Sequence, residues 1–334
     1  MSSEGLIEFL AVFLSQLQKP TLAFLLGGMA LAALGSRLEV PDPVYRMIVV
    51  VLLLKIGLGA GMAIREADLA DIVLPALASV FVGVTVVLLG RLTLARLPGM
   101  KMEDGLATAG LFGAVSASTL AAAMIMLEEE NMAFEAWVPA LYPFMDIPAL
   151  ITAIVLVQLA RRRSGRGSAA RIRGIIADSL RGSALSALAL GLALGLLARP
   201  DAVYASFYEP IFRGLLSILM LVMGMEAWAR LAELRRVAHV YAVYAVIAPV
   251  AHGLLGFGLG YAIHLVTGFS PGGVVLLAVM AASSSDISGP PTLRAAIPSA
   301  NPAAYIGAST SVGTPVALLS VPLWMALAET VFST

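Results

Sequence analysis

The sequence predicts an all-α polytopic membrane protein with ten transmembrane helices. These form two inverted five-helix repeats whose fourth and ninth helices are discontinuous. Three observations carry that prediction: the composition, the count of apolar segments, and a pair of hydroxyl-rich interruptions that recur at one offset. Of 334 residues, 60% are hydrophobic and 13% charged, and mean hydropathy is +0.94. Soluble domains carry about 25% charged residues. A spanning helix takes about 20 apolar residues, so ten consume on the order of 200 and leave no room for a large soluble domain. The 21 basic residues balance 21 acidic ones, which argues against a nucleic-acid binder. A chain without cysteine has no disulfides, thiolate catalysis or metal–thiolate sites. His239, His252 and His264 are too scattered for a histidine metal site.

The elements follow in order. Residues 1–18 carry Glu4 and Glu8 but no basic leader, so they do not read as a signal peptide. Ile7, Phe9, Leu10, Phe13, Leu14 and Leu17 recur as on an amphipathic interfacial helix. The first repeat, 19–160, holds apolar segments at 21–35, 45–64, 72–89, 105–127 and 138–159. Residues 161–178 form a short basic linker with Arg161, Arg162, Arg163, Arg166, Arg171 and Arg173. The second repeat, 179–334, holds segments at 180–198, 212–227, 237–264, 272–297 and 303–331, of which the third and last are long enough to tilt or kink. An odd number of spans in each half makes the second half enter the bilayer from the other side. With the linker cytoplasmic, both termini lie outside. Sixteen basic residues then fall inside, against Lys19, Arg65, Arg199 and Arg213 outside. Lys55 is left over and reads as a snorkelling side chain.

The fourth and ninth segments carry the chemistry. Gly113-Ala114-Val115-Ser116-Ala117-Ser118-Thr119 interrupts one, and Ser283-Ser284-Ser285-Asp286-Ile287-Ser288-Gly289-Pro290-Pro291 interrupts the other. Asp146-Ile147-Pro148 is similarly matched by Gly313-Thr314-Pro315, and one shift of 167 to 169 residues superimposes both pairs. Tandem prolines delete two backbone donors, so the ninth helix breaks. A break bares amides at the start of one half-helix, which suit a small anion. It also bares carbonyls at the end of the other, which with hydroxyls and a carboxylate suit sodium. For any one serine, packing at a helix interface is the commoner role. Two matched clusters with an aspartate favour a binding site. Asp286 is the sharpest residue, because an ionised carboxylate at mid-bilayer costs about 2.5–3.5 kcal/mol even on lenient scales. Asp146 stands only a few residues into its segment and reads as near-interfacial. His252 reads as a packed neutral histidine and Glu226 as a helix-end residue. Gly57/Gly61, Gly191/Gly195 and Gly256/Gly260 have the spacing of close helix contacts. A Ser284–His252–Asp286 hydrolase has no nucleophile-elbow motif to support it.

The run from Ala281 to Arg294, with Ile297-Pro298-Ser299-Ala300-Asn301-Pro302 and Tyr305-Ile306-Gly307-Ala308-Ser309-Thr310, closely resembles the cyanobacterial sodium-dependent bicarbonate transporter family. So do Leu141 to Leu150, Gly110 to Ser116 and Phe212 to Trp228. The resemblance implies sodium-coupled bicarbonate uptake across the plasma membrane and a homotrimer. It also implies a PII-like cytoplasmic inhibitor that responds to adenine nucleotides. No enzymatic activity and no cofactor beyond the coupling ion are expected. Helices 1, 2, 6 and 7 would form a scaffold, and helices 3–5 and 8–10 a moving core. Bicarbonate would sit at Gly113, Ala114, Val115, Ser116, Ala117, Ser118, Thr119, Ser283, Ser284 and Ser285. Sodium would be held by Asp286 and Ser288, with Asp146, Ser309 and Thr310. Arg161, Arg162, Arg163, Arg230, Arg235 and Arg236 would face the regulator. A bile-acid-like sodium symporter for another organic anion is the alternative, and a passive anion channel a third reading.

Overall fold

The computed structural model describes residues 17–97, 100–163, 181–234 and 239–332. The expected interfacial helix and most of the basic linker lie outside them, as do Arg235 and Arg236. Among the described residues every regular element is helical.

Helix α1 (Pro20–Ala33) starts on a proline whose missing amide costs nothing at that position, and stops at Gly35, in the left-handed region at φ 73°. α2 (Asp42–Glu66) follows Pro41, with Asp42 in its first turn and Arg65 in its last, each charge complementing the helix dipole. α3 (Leu69–Leu92) is capped by Asp68, which accepts from the Ala70 amide. The next pass is broken into α4 (Met102–Gly113) and α5 (Ala117–Glu129). A 3₁₀ turn, Val138–Leu141, leads into α6 (Tyr142–Arg163). The second half opens with α7 (Ser183–Leu197), α8 (Glu209–Leu234) and α9 (His239–Thr267). A second broken pass, α10 (Pro271–Ala282) and α11 (Gly289–Ala296), comes next. α12 (Pro302–Gly307) and α13 (Thr314–Phe332) then run on through a π-helical stretch, Ala308–Gly313. That stretch, with Pro322 inside α13, supplies the irregularity expected of the last segment.

Seven passes are long and apolar enough to cross a membrane: Asp42–Glu66, Leu69–Arg96, Met102–Glu129, Val138–Arg161, Asp201–Leu231, His239–Thr267 and Pro302–Phe332. Pro20–Ala33, Ser183–Leu197 and Pro271–Ala282 are apolar but shorter. At 1.5 Å per residue, their 12 to 15 residues reach only about 18–23 Å of a hydrocarbon core about 30 Å thick. An apolar 18-residue segment within Met102–Glu129 is wholly buried inside the protein, against 39% of the corresponding segment of Leu69–Arg96. The first broken pass therefore occupies the centre of the bundle, where irregular backbone meets protein rather than lipid.

The packing pairs elements from opposite halves of the chain. α2 lies along α7, and α1 along α8. Gly57 and Gly61 face Gly191 and Gly195 across the first pair: a Cβ on Gly61 would stand 2.3 Å from the Leu192 carbonyl oxygen, and one on Gly195 the same distance from that of Leu58. Gly28 and Gly224 play the same part across the second. Both glycine pairs singled out in α2 and α7 are thus close helix contacts, and Gly256 and Gly260 press α9 onto α10.

Contacts between helix ends set the polarity of the bundle. Lys19 pairs with Glu130, Glu135 bonds Ser270, and Phe332 packs against His264, so the first and last described turns share the end that carries Glu128–Glu130. Arg161 bonds Glu103 (2.7 Å) and Ser299 at the opposite end, from which residues 164–180 depart.

Candidate functional site

The two breaks lie side by side at the centre. α4 ends at Gly113, and Ala114 turns the backbone into extended conformation (φ −89°, ψ 162°). Ser283 does the same after α10 (φ −72°, ψ 169°), 169 residues later. The extended stretches bond to each other: the Ser116 amide donates to Ser283 Oγ (3.0 Å), and the Ser285 amide to the Leu111 carbonyl (2.8 Å). Ser116, Ser118, Thr119, Ser283, Ser284, Ser285, Ser288 and Ser309 are all buried, as are Thr310 and Asp146.

Two polar clusters emerge. In the first, Ser118 Oγ donates to Asp286 Oδ2 at 2.5 Å, and Ser116 Oγ lies 2.9 Å from Ser118 Oγ. Ser116 also caps α5, accepting from the Thr119 amide and hydroxyl. Asp286 Oδ1 is buried with no hydrogen-bond partner. In the second, Asp146 accepts from the Val115 amide (3.1 Å) and, at 3.3–3.4 Å, from Ser288 Oγ. Ser288 Oγ also lies 2.9 Å from Ser285 Oγ and 3.0 Å from Tyr142 Oη. Ser309 Oγ donates to Ser284 Oγ (2.9 Å) and the Ser285 carbonyl (3.2 Å). Thr310 is buried beside Ser309 on the π-helical stretch.

Three sequence expectations change here. Asp146, read as near the start of its segment, is 0% exposed and joined to both breaks through the Val115 amide and Ser288, because the 3₁₀ turn carries the chain into the protein before α6 starts. Asp286 and Ser288 do not converge on one point, since Ser288 turns to Asp146 while Asp286 turns to Ser118. The two half-helix N-termini are also unequal. The first-turn amides of α5 at Ala117 and Ser118 have no carbonyl a turn behind them in their own helix. α11 has Pro290 and Pro291 in that place, and its Gly289 amide is already taken by Ser285 Oγ (2.8 Å). Of the two half-helix first turns, that of α5 is therefore the one with amides to offer an anion. Tyr142, absent from the expected set, carried no signal in the sequence beyond its place four residues before Asp146. Thr314, buried with an unpartnered hydroxyl, sits next to the matched Pro315 and was legible from that match.

Among the described residues, neither Asp146 nor Asp286 pairs with a cationic side chain. A buried Asp146 bonded by Val115 and Ser288, and a part-buried Asp286 bonded by Ser118 with its Oδ1 unpartnered, fall short of what ionised groups require away from water. Oxygen-rich surroundings of hydroxyls and freed carbonyls supply the ligands of a hard monovalent cation.

Two spaces lie along the seam between α5 and α2. A cavity of about 680 Å³ opens at the Glu128 end, lined by Lys55, Met62, Glu66, Met124, Glu128 and Tyr204 among others. Deeper, the seam narrows to a slot of about 10 Å³ between Leu53, Ile56, Ala121, Leu219, Ile287 and Ser118. That is about the room of one water, so the seam is closed at this point. Lys55 does not snorkel: it is 7% exposed, with Nζ 4.2 Å from the Phe212 ring centroid. His252 is buried and its Nδ1 unpartnered, as expected of a packed neutral ring.

Of the arginines expected to face a regulator, Arg161 is engaged by Glu103 and Ser299. Arg230 is half-buried on α8, four residues after Glu226. The side chains of Arg162 and Arg163, and all of Arg235 and Arg236, lie outside the described residues.

A multi-pass membrane protein with paired broken helices, hydroxyl-lined and holding two unneutralised carboxylates, belongs to the class of solute transporters rather than enzymes. Comparison of the sequence with known families is specific: residues 20–329 match the Na+-dependent bicarbonate transporter superfamily, and the chain belongs to it. No curated protein matches.

Proposed function

We propose that this protein imports bicarbonate across the plasma membrane, driven by a sodium gradient, by alternating access. The observation that carries the reading is the pair of carboxylates beside the crossed breaks, Asp146 buried and Asp286 part-buried with its Oδ1 buried and unpartnered, both left without cationic side chains among the described residues. A bound sodium ion neutralises such a site, and its charge then favours an anion nearby. Asp286, Ser116 and Ser118 on one side, and Asp146, Ser285 and Ser288 on the other, are the oxygens we assign to sodium. The first-turn amides of α5 are assigned to bicarbonate. Family membership supplies the two solutes; the residue assignments rest on the geometry.

In this reading the two halves are inverted repeats giving ten passes. α1, α2, α7 and α8 form the scaffold, and the remaining helices form a core that moves against it along the α5–α2 seam. The linker end is cytoplasmic and the Glu128 end outside, in line with the placement of basic residues. A PII-like nucleotide-responsive inhibitor acting at the linker end, and a homotrimer, complete the reading on the strength of the resemblance. Because Arg161 is already bonded within the protein, regulator binding falls to the other arginines.

The deciding experiment is labelled bicarbonate uptake into proteoliposomes at clamped pH. An inward sodium gradient should drive accumulation, and a proton gradient without sodium should not. Accumulation on protons alone would make the carboxylates proton carriers and remove sodium from the mechanism.

A further inference from the structure

The large cavity holds a charge that the transport site does not use. Lys55 stands in the middle of α2, 93% buried on a 7% exposure, and its ammonium lies between the rings of Phe212 (4.2 Å to the centroid) and Tyr204 (5.6 Å). It makes no ion pair among the described residues. Burial of a charge in this way is costly unless something returns the lost solvation, and two aromatic faces return only part of it. The ammonium also lines the one large cavity of the α5–α2 seam. Along α5, Met124 and Glu128 line that cavity while Ser118 and Ala121 line the slot below. Glu128 and Ser118 are ten residues apart, about 15 Å of helix. Lys55 and Ile56 are neighbours, and Ile56 lines both spaces. The lysine is therefore on the floor of the cavity, beside the constriction that leads to Ser118.

The other charges of the cavity are arranged differently. Glu66, Glu128 and Glu209 stand at its rim, where the Glu66 and Glu128 side chains are 79% and 40% exposed. Arg213 pairs with Glu128 at 3.2 Å, and Arg65 approaches Glu66 at 3.8 Å. Solvated, partly paired carboxylates are screened within about 8–10 Å at ordinary salt, whereas a buried ammonium is screened much less. Lys55 is the one basic residue lining the cavity, set below the three rim glutamates, of which Glu128 and Glu209 act on it electrostatically.

We propose that Lys55 is an anion-recruiting residue, a waypoint that holds a small monovalent oxyanion at the cavity floor before it passes to the site at Ser118. The proposal rests on the transport reading for the identity of that anion as bicarbonate. A compact oxyanion would sit on the cavity side of the ammonium, away from the negative ring faces of Phe212 and Tyr204. A larger or multiply charged anion meets the rim glutamates first.

The test uses the full chain in proteoliposomes. Replacing Lys55 with glutamine removes the charge and keeps much of the stem, whereas Lys55→Arg keeps the charge. Loss of one hydrogen bond to a charged group should raise the KM for external bicarbonate by about tenfold or more in Lys55→Gln. Turnover at saturating bicarbonate and half-saturation by sodium should stay within about twofold of the parent, and Lys55→Arg should restore the KM. An unchanged KM in well-folded Lys55→Gln overturns the proposal.

A second measurement is independent of transport. The chain has no cysteine, so Met62→Cys, two turns from Lys55 in the same cavity, gives a unique labelling site. The ratio of its reaction rates with anionic and cationic methanethiosulfonates should fall about fivefold or more when Lys55→Gln is added, as expected for removing one charge about 10 Å away in a poorly screened cavity. An unchanged ratio overturns the proposal even if sodium-driven uptake is intact. If the parent chain shows no sodium-driven uptake, the transport reading falls, and the labelling ratio still decides whether Lys55 draws anions.

Discussion

Asp146→Asn is the sharpest perturbation that the site offers. The side chain is fully buried, accepts one amide bond at 3.1 Å and two long contacts from Ser288, and has no cationic partner among the described residues. Asparagine keeps the shape and the acceptor for Val115 but removes the charge. Without sodium, the variant should therefore be more stable than the parent, since an uncompensated buried charge has been deleted. With sodium the order reverses. The parent should gain about 2.7 kcal/mol when sodium is a hundredfold above its Kd, while the variant loses an ion partner of a buried pair. That loss costs about 3–5 kcal/mol, roughly 150- to 5,000-fold in affinity. The assay is thermal unfolding of purified protein in detergent, titrated with sodium chloride against choline chloride. The expected signature is a raised sodium-free midpoint together with a flat sodium titration. A sodium-dependent rise in Asp146→Asn as large as the parent's would refute the assignment of Asp146 to the ion.

Asp286→Asn should abolish uptake while leaving a folded, membrane-inserted protein, and normal uptake at limiting sodium would remove Asp286 from the mechanism. Ser118→Ala deletes the donor held 2.5 Å from Asp286; it should raise the half-saturating sodium concentration by the worth of one charged hydrogen bond, about 1.5–3 kcal/mol, as read from uptake kinetics. Gly61→Val drives side-chain atoms into the Leu192 carbonyl and should cost about 1–3 kcal/mol or more as overpacking, seen as a lower melting temperature and a poor yield of monodisperse protein. Arg213→Ala frees Glu128 and Glu129, but the arginine is 58% exposed; stability should change by less than about 1 kcal/mol, and less still at high salt.

The breaks were legible because their residues cannot do anything else well. Pro290 and Pro291 have no amides to continue α10, and their place in the first turn of α11 follows from that chemistry. Ser116 is a good cap standing where a helix must restart. The glycine pairs of α2 and α7 were legible as spacing, though nothing in the sequence said that they would face each other. The depth of Asp146 was not legible, because counting from Val138 assumes that the segment begins at the membrane surface. Instead Trp137, Val138, Ala140 and Leu141 are already buried when α6 starts. The parting of Ser288 from Asp286 was hidden for a similar reason. Two residues apart in an irregular backbone, they obey no helical or strand period, so their directions are fixed by Ser118 and Asp146 from distant parts of the chain.

The glycine seam also sets a schedule for synthesis. α2 is complete at Glu66, but the helix that fills its groove ends only at Leu197. At about 5–20 residues per second, the ribosome takes roughly 7–26 s to make the intervening chain. Throughout that interval a GxxxG face stands in the bilayer without its partner, and such faces readily pair with one another. Two nascent copies side by side present identical stripes. Their mispairing competes with the arrival of α7, so the yield of assembled protein depends on how crowded the membrane is while each chain is still unfinished.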